Sequence, residues 1–471
     1  MIKDLIKLLV AGGVYFGLAP AAGSMLAWNR TAERILLCVL VSMPSWFPSK
    51  LTLMVDSVEW YRGHTKGFEF ALPTAAGIAL TVAAWIRARA GDRRWPPGMW
   101  AWWLYCGLAT ISLLHAPNKV LGLMAVWKFS MAGFVFSGAY HAFRDDQDLR
   151  WVMRSLAITL LVQTGVCLKL RFIDGRWQTH GWFEHQNPMA MWSYMCALPL
   201  LAMAFAPQTS GRDTRLCLAG VAGTALMILL SVSRGALAAF VIGAMMVTGL
   251  AFLRGVTFKK CGITALGAVG AAVAGTLAIN SLIARIHEDA SRENPEDLRP
   301  ILNRQSKWML RDSPIGVGWN NFGIVNSLPD ERYVIVLMDW DASRGFRIID
   351  DLYFAGPLTE SLFWLVLAET GYQGMAGYAL FMLLTLWWGI RGVAAYWKTW
   401  LGYFVSGVVI ALALTYLQGS VERVLSQTKN MTMWLICAGF LARVQEMRLQ
   451  ARKLKGGRPT AAAPIPLPAP A

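Results

Sequence analysis

Charge is scarce in this 471-residue chain: 15% of its residues are Asp, Glu, Lys or Arg, 56% are hydrophobic, and mean hydropathy is positive. A soluble domain of this length needs far more charge to cover its surface, so a soluble enzyme is excluded. Cysteine is missing from the places where it would build anything. Cys38, Cys106, Cys167, Cys196, Cys217, Cys261 and Cys437 lie in or at the ends of apolar runs, and none falls in the polar segment 285–360. Without a CxxC pair or an external cluster there is no disulfide framework or cysteine metal site, and these residues read as small buried hydrophobes. Also missing are a convincing cleavage site behind the first apolar run and an internal repeat of the transporter kind. Only 285–360 is long enough to fold outside the apolar runs.

What the chain has instead is apolar blocks of roughly 20 residues, the length that crosses a ~30 Å hydrocarbon core as helix. They occur at 68–86, 99–114, 120–140, 151–170, 189–206, 216–230, 236–253, 263–283, 362–388, 401–417 and 431–442, with 5–27 and the Pro44-broken 35–47 as further candidates. Open strands cannot satisfy their backbone in lipid, so all should be helical. The expected fold is all-α, a polytopic membrane bundle of about 12 or 13 spanning helices with one large periplasmic loop. Its divisions are N-terminal membrane helices over 1–97, a membrane core over 98–284, the loop over 285–360, C-terminal helices over 361–443, and a basic then Pro/Ala-rich tail over 444–471. Within the loop, Ile301, Trp308 and Met309 give 301–310 an amphipathic pattern suited to the bilayer surface or to capping the bundle. Gly262, Gly267, Gly270 and Gly275 predict a helix that its neighbours approach closely.

Basic residues outnumber acidic ones, 44 to 28, for a net charge of +16. Their placement argues against nucleic acid as a partner. Arg87, Arg89, Arg93 and Arg94, then Arg212 and Arg215, then Arg254, Lys259 and Lys260 occupy short loops on one side of alternating spans, and the tail adds Arg443, Arg448, Arg452, Lys453, Lys455 and Arg458. That is the positive-inside pattern, which places this face and the C-terminus in the cytoplasm. The segment 285–360 falls on the opposite side and holds 13 acidic residues against 9 basic ones. A connection this long is uncommon unless it carries function.

Four polar stretches stand at the external boundary. The loop 176–188 carries Arg176, His180, Glu184 and His185 among aromatics. The histidines can take or give a proton and the rings can stack on sugars, although an aromatic belt with a polar helix cap reads the same way. Arg234, in the tight turn 231–235, suits a phosphate through its fixed charge and planar fork, or snorkels to the interface. The stretch 304–322 combines Arg304 with a Pro-and-paired-Gly turn where backbone or ligand approaches closely. Glu360 stands at the start of the 362–388 run, either as a general base or as a first-turn acid complementing the helix dipole. Glu369 lies deeper, and an intramembrane acid is functional by default. Lys128, roughly 13 Å along its helix from the external end, must face the interior. There it either joins Arg234 at a diphosphate or pairs with an acid such as Glu369.

In order, GWFEHQNPMAMW at 181–192, SVSRGALAAF at 231–240, NRQSKW at 303–308, DSPIGVGWNNF at 312–322 and ESLFWLVLAETGYQG at 360–374 resemble the O-antigen ligase family over roughly residues 100–445. The stretches 61–63 and 66–69 also resemble its exopolysaccharide-linked members. The resemblance implies a bacterial inner-membrane protein whose site faces the periplasm. It implies transfer of a glycan from an undecaprenyl diphosphate carrier to a hydroxyl on a lipid or glycan acceptor, with no metal or nucleotide cofactor. Arg234 and Arg304 match the family arginines at the diphosphate, with Lys128 and Arg176 as further cations. Where the family has a His-Asn pair this chain has Glu360-Ser361, which leaves Glu360, His185 or His180 as the base. Ligase and polymerase remain alternatives, a lipid-linked-glycan transporter is the rival class, and no oligomeric state follows from the pattern.

Overall fold

The structure, a computed structural model, describes residues 2–46, 52–59, 61, 63–88, 95–291, 298–326 and 358–456. It is overwhelmingly helical. The helices are α1 (Ile2–Leu26), α2 (Arg30–Ser42), α3 (Leu72–Arg87), α4 (Met99–Thr110), α5 (Lys119–Ala142), α6 (Asp146–Phe172) and α7 (Gln186–Phe205). They continue with α8 (Gly211–Ser231), α9 (Arg234–Leu253), α10 (Phe258–Ser291), α11 (Leu298–Asp312), α12 (Leu362–Ala395), α13 (Trp400–Gln418) and α14 (Thr428–Gly456). Among the described residues, α1, α5, α6, α7, α8, α9, α12 and α13, 8 in all, are long and apolar enough to cross a membrane, and α3 and α4 are shorter apolar helices. The chain is a multi-pass membrane protein by these elements.

Two expectations change. The run 68–86 is not all helix: Phe68–Ala71 is a strand, paired antiparallel with Thr52–Val55 in the register Thr52↔Ala71, and the helix begins only at Leu72. Aromatic residues at the edge of an apolar block look like more helix when only hydropathy is read. The run 35–47 lies mostly in α2, whose 13 residues fall short of a full span.

The bundle is organised around α7, where every residue from Pro188 to Phe205 is buried. A helix apolar on all sides needs neighbours on all sides, and α8, α9 and α13 supply them. Lipid tails give no hydrophobic drive for helices to associate, so small residues at the crossings matter. A Cβ on Gly407 of α13 would stand 2.4 Å from Pro199 Cα of α7, and one on Gly138 of α5 would stand 2.7 Å from Gly77 Cα of α3. The glycines of 262–275 do not work this way. Gly262, Gly267, Gly270 and Gly275 have no atom within 4 Å of such a Cβ among the described residues.

Polar groups collect at the two ends of the bundle. At the basic end Glu33, fully buried, accepts from Arg30 (2.6 Å), Arg87 (2.6 Å) and Arg144 (2.8 Å), and buried Asp148 is held by Arg34 (2.8 Å) and Arg30. These pairs bind α2 and α3 to the α5–α6 turn. Helix α1 runs parallel to α3, since Tyr15 donates to the Ala71 carbonyl (2.9 Å) and Arg87 reaches that of Leu26 (3.5 Å). Residue 2 therefore lies at the opposite end, with the strand pair.

Helix α12 is broken at Gly371, where φ is 69° and ψ −173°, a region only glycine occupies without strain. A Cβ there would also meet Ile315 C at 2.3 Å. Gly371→Ala should therefore lower stability by about 1–3 kcal/mol or more, read as a reduced melting temperature in detergent. Gly270→Ala, in open space, should leave the melt unchanged; equal behaviour of the two variants contradicts this account.

Candidate functional site

The break in α12 is where the 313–322 loop docks. Val317 N donates to Ala368 O (2.9 Å), Gly318 N to Glu369 O (3.1 Å) and Tyr372 N to Pro314 O (3.1 Å). The backbones are too close for side chains, and a Cβ on Gly316 would lie 2.4 Å from Glu369 O. This is the close approach the Pro-and-Gly turn predicts. The Glu369 carboxylate, fully buried, accepts from Asn320 N at 2.9 Å and Phe322 N at 3.1 Å, and His64 Nε2 lies 3.0 Å from the same group. Asn320, left-handed at φ 59°, extends the lock. Its side chain accepts from His64 N (2.7 Å) and donates to Thr65 O (3.1 Å) and Leu121 O (2.9 Å), while the Tyr61 hydroxyl donates to its carbonyl. Glu369 thus acts as an anchor for chain segments.

Lys128 is buried and ion-paired, as one of its two readings expects, but with a different acid. Its ammonium lies 3.1 Å from Glu69 and donates to His64 O at 2.7 Å, while Thr428 donates to the other Glu69 oxygen. The cavity beside it, bounded by Glu69, Thr74 and Thr428, holds about 10 Å³, room for one water and not for a diphosphate.

Arg234 lies elsewhere, at the first residue of α9. The turn before it places Val232 at φ 56°, a left-handed conformation that costs a β-branched residue about 1–2 kcal/mol. Against this helix start packs the turn after α13. A Cβ on Gly235 would stand 3.3 Å from Glu422 Oε1 and 3.6 Å from Gln418 Nε2. Gln418 Nε2 donates to Glu422 Oε2 (2.9 Å), the Tyr194 hydroxyl of α7 donates to Gln418 Oε1 (2.8 Å), and Thr415 donates to that hydroxyl (3.2 Å).

The start of α12 joins the same turn through Leu362 N and Gly419 O at 2.9 Å. Ser361 is its cap, so Glu360 stands outside the helix and the first-turn dipole reading lapses. Its carboxylate pairs with Arg299 of α11 at 2.8 Å. Arg304, the arginine that the motif resemblance singled out, is exposed further along α11; Arg299, which carries no motif signal, is the one that meets Glu360. Glu422 is 8% exposed. Burial pushes its carboxyl above the usual carboxylate range, opposed by the Gln418 hydrogen bond, reinforced by the Glu360 charge and opposed again by Arg299.

The histidine loop borders this region. Thr179 N donates to Leu230 O at 3.2 Å, laying the loop along the end of α8, and Lys429 donates to Trp182 O with its ammonium 4.7 Å from the Phe183 ring centre. His185 caps α7, Nδ1 accepting from Asn187 N at 3.4 Å, and Arg176 lies 2.8 Å from His180 Nε2. A guanidinium only donates, so that nitrogen accepts and the ring proton sits on Nδ1.

Arg234, Glu360 and the missed Arg299, Gln418 and Glu422 therefore belong to one polar region at the loop end, and Lys128 to another. The signal for Glu422 was an acid in the short turn between the 401–417 and 431–442 runs; no periodicity points to Gln418 or Tyr194. Glu369→Ala strips two buried N–H groups of their acceptor and should cost about 2–4 kcal/mol, whereas Glu369→Gln should cost less. An unshifted melting temperature in the alanine variant would refute the anchor. Compared with known families and with curated proteins, the chain matches no family model and no curated protein.

Proposed function

We propose that the chain is an inner-membrane glycosyltransferase of O-antigen ligase type. It moves a glycan from an undecaprenyl diphosphate carrier to an acceptor hydroxyl at the periplasmic face, in O-antigen or exopolysaccharide assembly. The observation that carries the reading is the gathering, at one end of a membrane bundle, of the helix start that carries Arg234, the Arg299–Glu360 ion pair and Glu422, drawn from four separate chain segments. The ordered motif resemblance and the basic residues at the opposite end support it, since positive loops face the cytoplasm.

Transfer from a lipid diphosphate builds negative charge on the leaving group. Cations aimed where that charge develops lower the barrier. In this reading Arg234 holds the diphosphate as its bond to the anomeric carbon breaks, and Arg299, charge-balanced in the resting protein by Glu360, turns to it when the substrate enters. The acceptor oxygen attacks from the opposite face with inversion, and its proton passes to a group of the protein. The acceptor is a lipid in ligation or a growing glycan in polymerisation, and the same residues serve either. Lys128, held by Glu69, has a structural part here, and Arg176 and the two histidines line the approach.

With purified protein and a synthetic lipid-diphosphate glycan, Arg234→Ala should slow single-turnover transfer by about 100-fold, as for removal of a transition-state donor. Arg299→Ala should slow it more than Arg304→Ala. Wild-type rates in Arg234→Ala would remove the diphosphate clamp.

A further inference from the structure

Two carboxylates share the Arg234 region, and their surroundings differ. Glu360 is about half exposed and its charge is matched by Arg299 at 2.8 Å. Glu422 is 8% exposed and no ion pair to it is found among the described residues; a neutral amide, Gln418 Nε2, holds its Oε2 at 2.9 Å. Its Oε1 faces the first turn of α9, where a Cβ on Gly235 would stand 3.3 Å away. Carboxylates placed so differently suit different parts in proton transfer.

We propose that Glu422 is the general base of transfer, its Oε1 taking the proton of the acceptor hydroxyl beside the diphosphate held by Arg234. The assignment rests on the transfer reading above and adds the residue that reading leaves open. In the step, the acceptor oxygen forms its bond to the anomeric carbon as the carbon–phosphate oxygen bond breaks. The leaving undecaprenyl diphosphate keeps that electron pair, the hydroxyl proton moves to Glu422, and Glu422 returns it to water as product leaves. The Tyr194–Gln418 chain positions the base: the Tyr194 hydroxyl fixes the Gln418 amide, which presents its N–H to Oε2 and leaves Oε1 for the acceptor. The other candidates are worse placed. Glu360 is half exposed and lies on the Arg299 side rather than against the first turn of α9, His185 caps α7, and the Nε2 of His180 is engaged by Arg176.

Among the described residues, the charged and titratable groups that bear on Glu422 are Glu360 and Arg299 from the α11–α12 side and Tyr194 from α7, with Arg423 next to it in sequence and Arg234 next to Gly235. Burial and the Glu360 charge favour the protonated acid; Arg299 and the Gln418 hydrogen bond oppose them. Transfer should therefore fall as pH drops, with a midpoint above the ordinary glutamate value of about 4.3.

The test follows transfer by full-length purified protein across pH, using synthetic undecaprenyl-diphosphate glycan and acceptor, with undecaprenyl diphosphate binding measured in parallel. Glu422→Gln keeps the size of the side chain and an oxygen for Gln418. It should slow transfer by about 100-fold or more, abolish the acid limb of the residual rate and leave binding within twofold. Glu360→Gln should keep the acid limb. Should Glu422→Gln fold poorly, Gly235→Ala displaces Oε1 from outside and should slow transfer and move the acid limb; an unmoved profile counts against the base. Product from wild type with an intact acid limb in Glu422→Gln overturns this assignment alone. No product from wild type overturns the transfer reading and this assignment with it.

Discussion

A single buried carboxylate organises the loop end of this protein. Glu369 sits where a membrane helix is broken, and a charge there is tolerable only if its oxygens are filled. Backbone N–H groups of Asn320 and Phe322 fill them. Each such charge-assisted bond contributes on the order of 1.5–3 kcal/mol, and leaving the groups unpaired costs a similar amount. Because Asn320 also grips residues 64–65 and Leu121 of α5, the anchor ties the 313–322 loop, the strand pair and the broken helix into one unit. The outer half of α12, which carries Glu360 to the turn after α13, is set by that unit.

The polar region built on this frame divides its labour by environment. Arg299 and Glu360 stand half in water, where an ion pair is weak and a guanidinium can be redirected at little cost. Glu422 and Gln418 are buried, where hydrogen bonds fix direction and any movement is expensive. The same contrast recurs at the basic end, where Glu33 and Asp148 are saturated by arginines and serve only to hold helices together. A carboxylate saturated by arginines is a joint; Glu422 is held instead by a neutral amide.

Much of this was legible in the residues. The long apolar helices, the amphipathic α11, the close approach at the Gly316–Gly318 turn and an ion pair for Lys128 all follow from length, periodicity or the cost of burying charge. The strand pair was hidden because Phe68–Ala71 runs straight into apolar helix, and hydropathy cannot tell one from the other. The partner of Lys128 was misjudged because Glu69 is distant in sequence and Glu369 seemed the deeper acid. Arg299 and Glu422 escaped notice because each is an ordinary charged residue in a turn or first helical turn, given meaning only by what packs against it. The glycines of α10 are the opposite case, a packing signal that meets no neighbour among the described residues.

The central claim is that this chain makes a glycosidic bond rather than moving a lipid. The direct measurement is reconstitution of the purified protein in liposomes with undecaprenyl-diphosphate glycan and a hydroxyl acceptor, followed by mass spectrometry of the acceptor and an assay of carrier sidedness. The account predicts acceptor heavier by one glycan, with free undecaprenyl diphosphate formed in equal amount. Carrier crossing the bilayer with the acceptor unchanged would contradict it.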